Sequence, residues 1–184
     1  MTKIHYLVGD ATEPVLVENK QNVIVHCCND MGAWGAGFVI PLAKKYPETK
    51  RDYQTFIRTE KMESKDISEL TNRVLGKVVY NKVGANLHVA NLIGQSGIYT
   101  NNGLPPIRYE AIGDGFRDII KGFKADELVI HCPRIGAGLA GGDWKQIEKL
   151  LDIYFVCNGS DVYVYDLKHE YEQNKWKGTV YENI

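Results

Sequence analysis

The chain has 184 residues, 44% of them apolar and 24% charged, with a formal net charge of -1. That is ordinary for one folded domain with a sizeable core. The near-neutral balance excludes a global basic field for nucleic acid, though not a nucleic acid carrying one recognised group, and no apolar run approaches the roughly 18 residues of a membrane span.

In chain order, strand-like runs alternate with helix-like ones. Lys3–Val8 reads as a strand ending at Gly9-Asp10. The opening stretch, MTKIHYLVGD, has no signal-peptide core, so a cytoplasmic location is expected. Val23–Cys28 is a second strand, and Gly37–Tyr46 a helix that stops before Pro47. Glu48–Leu70 is charged with spaced apolar residues and predicts exposed helix with breaks. Val74–Tyr80 and Leu87–Ile93 are strands, and Asn81–Asn86 between them, holding Gly84, suggests a hairpin. Pro105-Pro106 fits a helix start that continues through Ile107–Phe123. Glu127–Cys132 is a strand, Trp144–Cys157 a helix and Asp161–Leu167 a last strand. The tail, His169–Ile184, is polar and aromatic and reads as a final helix or a frayed end. The alternation predicts a single α/β layered domain, 1–184, with a mixed or largely parallel sheet.

Cys27, Cys28, Cys132 and Cys157 form no CxxC pair and read as buried free thiols. His26-Cys27 and His131-Cys132 echo each other, but a zinc site across two strands lacks ligand spacing. A Cys–His nucleophile would need an activating base that sequence alone does not place.

Three strand ends carry unusual residues. They are Gly9-Asp10-Ala11-Thr12, then CCNDMGAWGAG at 27–37, then Pro133-Arg134-Ile135-Gly136-Ala137-Gly138-Leu139-Ala140-Gly141-Gly142-Asp143-Trp144. In such sheets ligands bind beyond the carboxyl ends of strands. Glycine removes the Cβ and permits backbone that turns several N–H groups toward one point, which suits a phosphate or diphosphate. The alternative is that the glycines only make turns. A rival reading also exists. Gly136 to Gly141 matches GxGxxG between a strand and a helix, with Asp166 ending the next strand, which is the layout of a dinucleotide fingerprint. That reading leaves 27–37 unexplained.

Together these residues resemble the macrodomains. Gly9-Asp10-Ala11-Thr12 is similar to that family's first ligand element, and His26-Cys27-Cys28-Asn29 with Gly32-Ala33-Trp34-Gly35-Ala36-Gly37 is similar to its first ligand loop. The likeness is to the branch of ADP-ribose 1″-phosphate phosphatases. Ala90-Asn91-Leu92-Ile93-Gly94-Gln95 and Pro105-Pro106-Ile107-Arg108-Tyr109 resemble further elements, and 133–144 resembles the diphosphate loop. The resemblance implies a three-layer α/β/α fold with a mixed, largely parallel sheet. It also implies ADP-ribose or ADP-ribose 1″-phosphate as ligand, with ADP-ribosylated macromolecules as further partners, and no membrane, metal or cofactor.

The resemblance places Asp10, with Gly9 and Ala11, at the adenine, and a carboxylate suits its acceptor-only task; the plain alternative is a turn aspartate capping Thr12. It places Asn29, Gly32, Gly35, Ala36 and Gly37 along the distal ribose and diphosphate, with Gln95 nearby. Arg134, Ile135, Gly136, Ala137, Gly138, Leu139, Ala140 and Gly141 would cradle the phosphates from the other side. Trp34 either covers the distal ribose or plugs the core beneath its loop. His26, Asn29 and Asp143 form the implied catalytic set. His26 suits proton transfer near neutral pH, against the alternative of a buried strand histidine. Asp143 would orient water, against the alternative of a helix N-cap. A de-ADP-ribosylating branch uses a lysine and an aspartate where this chain has Gln95 and Ala140, so a lysine adduct is not expected. Hydrolysis of an ADP-ribosyl ester or nucleotide adduct through Asp143, or reading without turnover, stays open.

Overall fold

The computed structural model describes residues 1–182, so Asn183 and Ile184 of the tail lie outside the described residues. Six strands form one sheet in the order β1-β6-β5-β2-β4-β3. They are β1 (Ile4–Val8), β2 (Gln21–Asn29), β3 (Val78–Lys82), β4 (Leu87–Gln95), β5 (Leu128–Cys132) and β6 (Asp161–Asp166). All neighbouring pairs are parallel except β3 with β4, which run antiparallel. The helices are α1 (Val39–Lys45), α2 (Pro47–Glu63), α3 (Ile67–Val74), α4 (Tyr109–Gly122), α5 (Trp144–Tyr154) and α6 (Lys168–Trp176).

The two-residue period of β2 makes the layers. Val23 and Val25 pack with Ile112, Phe116 and Ile119 of α4 and with Ile147 and Leu151 of α5. Ile24 and Cys28 pack on the opposite face with Leu42 of α1, Tyr53 and Ile57 of α2, and Leu70 and Val74 of α3. Successive side chains of a strand point to opposite faces, so a strand apolar at every position needs helices on both. The result is a three-layer α/β/α sandwich.

Two boundaries differ from the sequence reading. Val74 closes α3, and β3 begins only at Val78. Between them Gly76 takes a left-handed turn, φ +79°, against Asp114, whose Cβ would lie 2.9 Å from an added side chain. Pro105-Pro106 do not start a helix; α4 begins at Tyr109. Ile107 bridges to Gln95, and Arg108 N–H donates to Gly94 O at 2.8 Å, so this segment spends its bonds on β4. The tail does form α6, and Glu182 N–H then donates to Tyr6 O of edge strand β1 at 2.9 Å.

The strand order positions the site. From β2 the chain runs outward to β3 and β4, then returns to place β5 on the other side of β2. The loops after β2 and β5 therefore leave adjacent strands toward opposite faces, one into α1 and one into α5. Ligands bind at such switch points in open α/β sheets.

Candidate ligand site

The first loop, 29–38, is shaped by side chains. Asn29 is 7% exposed, and its Oδ1 accepts from Met31 N–H and Ala33 N–H, each at 3.0 Å, and from Tyr53 Oη at 3.1 Å. Its Nδ2 donates to Ala33 O at 2.8 Å. Asn29 thus folds the loop on itself, and Gln54 Nε2 pins Gly32 O at 2.9 Å. Trp34 settles as the plug: it is 8% exposed, its Nε1 donates to Val39 O at 2.9 Å, and its ring lies 5.5 Å from that of Tyr53. Sequence reasoning passed over Asp30, a buried carboxylate that accepts from Thr71 Oγ1 at 2.7 Å and Gly97 N–H at 2.8 Å. Those bonds tie this loop to the segment after β4.

His26 lies beneath this loop on β2, 2% exposed. Asn91 Nδ2 donates to Asn81 Oδ1 and Thr49 O, so Asn91 Oδ1 is left to accept from His26 Nε2 at 2.5 Å. The proton therefore sits on Nε2. Asn81 Nδ2 continues the line to Asp52 Oδ2 at 2.6 Å. Burial, opposed by the Asn91 bond, pushes the imidazole pKa down to about 4. The imidazole is engaged by Asn91 and packed by the rings of Trp34 and Phe38, each centroid 5.6 Å away. The thiols are equally quiet: burial pushes Cys27 up to about 12 and holds Cys28 well above its usual value. Cys157 departs from the buried reading and is exposed. Among the described residues no group of three or more His, Cys, Asp or Glu is placed to hold a metal ion.

The second loop, 133–143, is shaped by close packing. An added Cβ at Gly142 would lie 2.6 Å from Gly136 O, and at Gly136 2.5 Å from Ile107 Cδ1. Gly136 and Gly141 also sit at φ +67° and +69°, where a side chain is strained. Gly142 N–H closes the loop on Gly136 O at 2.8 Å, and Ala140 O accepts from Ile107 N–H at 3.3 Å. Ile135 and Ala140 are core residues, 2% and 3% exposed, so their side chains pack within the protein. Arg134 turns its side chain to the sheet edge. Its Nε and Nη2 grip Asp166 at 2.8 and 2.7 Å, and its guanidinium stacks 5.1 Å from both Tyr6 and Trp144. The guanidinium is thus committed within the protein. Asp166 is 0% exposed and also accepts from Asn174 and Tyr181, which removes it as a ribose ligand and ends the dinucleotide-fingerprint reading.

The loops meet: an added Cβ at Gly37 would lie 3.5 Å from Leu139 Cδ1. Among the described residues, the N–H groups of Gly35, Ala36 and Gly37, and of Gly138, Leu139 and Ala140, donate to no protein acceptor. Among the glycines of the two loops, Gly35 and Gly138 stand apart. Neither has a positive φ, and nothing lies within 4 Å of an added Cβ. Neither backbone strain nor packing accounts for glycine there. At the rim, Asp143 is exposed and N-caps α5, its Oδ1 accepting from Lys145 N–H at 3.0 Å. Asp10 Oδ1 accepts from Thr12 N–H at 2.8 Å, which is the capping bond of a turn aspartate. Gly9 N–H donates to Asp166 O at 2.9 Å, and Ala11 is 3% exposed beside it.

Comparison with known proteins gives the geometry its context. No family model matches the chain. A solved protein of unknown function from Bacteroides thetaiotaomicron is 39% identical, with TM-score 0.80, covering 90% of this chain and 99% of that one. The chain is 24% identical over 152 residues to the ADP-ribose 1″-phosphate phosphatase of Candida albicans, covering 80% of this chain and 91% of that protein. It is 29% identical over 169 residues to zebrafish chromodomain-helicase-DNA-binding protein 1-like, but spans only 16% of that protein's length. A macrodomain protein of known structure from Streptomyces coelicolor is 35% identical, with TM-score 0.72, covering 89% of this chain and 99% of that one. With that identity along nearly the whole of both chains, this protein belongs to the macrodomain family.

Proposed function

We propose that this macrodomain binds ADP-ribose along the crevice, its diphosphate between the two glycine loops and its adenine toward Asp10. The observation that supports this reading is the set of uncommitted N–H groups on two facing loops, with glycines at 35 and 138 that the fold itself does not require. Fixed backbone donors match phosphate oxygens with no reorganisation. Asp10 commits Oδ1 to Thr12, and its second oxygen is the acceptor for an exocyclic amine.

The finer reading is hydrolysis of ADP-ribose 1″-phosphate, supported by the relatives of that name. Phosphoryl transfer needs mostly positioning and charge stabilisation, and free backbone N–H groups offer both. Asp143 is the carboxylate for orienting water, since its cap uses one oxygen. Asn29 and His26 act through the loop they hold. In phosphate-release assays with ADP-ribose 1″-phosphate, the wild type should turn over, and Asp143→Asn should lower kcat at least tenfold with little change in KM. His26→Ala should raise KM as well, because it loosens the loop. The burial of His26 favours a second reading, ADP-ribose binding without turnover. Binding with no phosphate release by the wild type would select that one.

A further inference from the structure

We propose that Arg108 is a positioning residue: it braces the second glycine loop from behind and so sets the N–H groups that face the ligand. The inference rests on the binding reading above. Pro105 and Pro106 have no N–H, so the segment 105–107 is rich in acceptors and poor in donors. Arg108 Nη1 donates to all three carbonyls, Pro105 O at 2.6 Å, Pro106 O at 3.0 Å and Ile107 O at 2.9 Å. Ser96 N–H reaches Pro106 O at 2.9 Å, which anchors the brace to the end of β4.

The front of the brace is the wall of the loop. Pro105 Cβ would lie 3.0 Å from a Cβ on Gly141; Ile107 fills the space in front of Gly136 and Gly142. Ile107 N–H holds Ala140 O, and the next residue, Tyr109, accepts Asp143 N–H on its hydroxyl at 2.8 Å. The carboxyl half of the loop is therefore fixed from 105–109. Without Arg108, three consecutive carbonyls lose their shared donor and the wall moves.

The test pairs two readouts on Arg108→Gln, with Arg108→Lys as the conservative variant and Tyr109→Phe as a milder change at the other end. Amide exchange should speed up about tenfold or more at Ala137, Gly141, Gly142 and Ile107, while Met31 and Ala33 of the first loop keep their protection. Arg108→Lys should recover part of it, and Tyr109→Phe should affect mainly Asp143. ADP-ribose affinity, by calorimetry, should fall about tenfold in Arg108→Gln. Unchanged protection in the second loop overturns the proposal, and so does lost protection with wild-type affinity. If Arg108→Gln does not fold, Arg108→Lys and Tyr109→Phe carry the same comparison. A wild type that binds no ADP-ribose while its variants still lose protection defeats the binding reading and upholds the brace.

Discussion

The two glycine loops leave adjacent strands and face one crevice, yet they keep their shape by different means. The first is folded by polar side chains: Asn29 satisfies two loop N–H groups, Tyr53 satisfies Asn29, and Trp34 fills the space beneath. The second has almost no side-chain bonds within it. It is held because Gly136, Gly141 and Gly142 let the backbone close on itself and on Ile107 and Pro105. The lesson is that glycine content alone does not locate a ligand. Most of these glycines answer to the protein's own packing; Gly35 and Gly138 do not.

Each loop should therefore break in its own way. The largest effect is expected at Gly142→Ala, where a methyl meets the Gly136 carbonyl at 2.6 Å and no flexible atom can yield. Urea unfolding should show a loss of about 3 kcal/mol, of the order seen for overpacking. The same substitution at Gly138 should leave stability unchanged or raise it by about 0.5 kcal/mol.

Acid should destabilise the fold through its buried histidines. The His26 imidazole takes up a proton near pH 6.5 when unfolded but resists until about 4 when folded. The unfolded state thus binds more protons in that window, so the stability is full above pH 6.5 and lost as pH falls toward 4. For a fully buried group the loss is about 3 kcal/mol. His131 acts in the same sense, pushed down to about 3 by burial. Urea melts at pH 7 and 4.5 should show the drop, and His26→Gln should flatten the part that belongs to the first loop. A third, smaller effect is Asn29→Ala, expected to lose about 2 kcal/mol from unmade bonds at Met31 and Ala33. Amide exchange should confine that damage to 30–36.

How much of this was legible in the sequence follows from which interactions are local. The strands and the two loops announce themselves through apolar runs punctuated by glycine, whereas the polar tail reads as helix or frayed end alike. β2, however, is buried at nearly every position because both its faces are covered, so its pattern does not say which way His26 points. Arg134 in a glycine loop reads as an anion ligand; its true partner, Asp166, stands 32 positions later on another strand. Trp34 fitted two roles until the bond to Val39 O decided. Val74 runs on into an apolar stretch, and only the turn at Gly76 against Asp114 separates helix from strand. Asp30 and Tyr109 act through contacts far apart in sequence, and no local signal marks Asp30.

The central claim is that the crevice between the loops takes the diphosphate of ADP-ribose, and calorimetric titration with ADP-ribose of the wild type, Gly35→Ala and Gly138→Ala tests it most directly. The account predicts saturable binding by the wild type. It predicts at least tenfold weaker binding by both variants, with unfolding midpoints unchanged or slightly raised because an added Cβ meets no protein atom within 4 Å. Wild-type affinity in both variants, or no binding by the wild type, would contradict it.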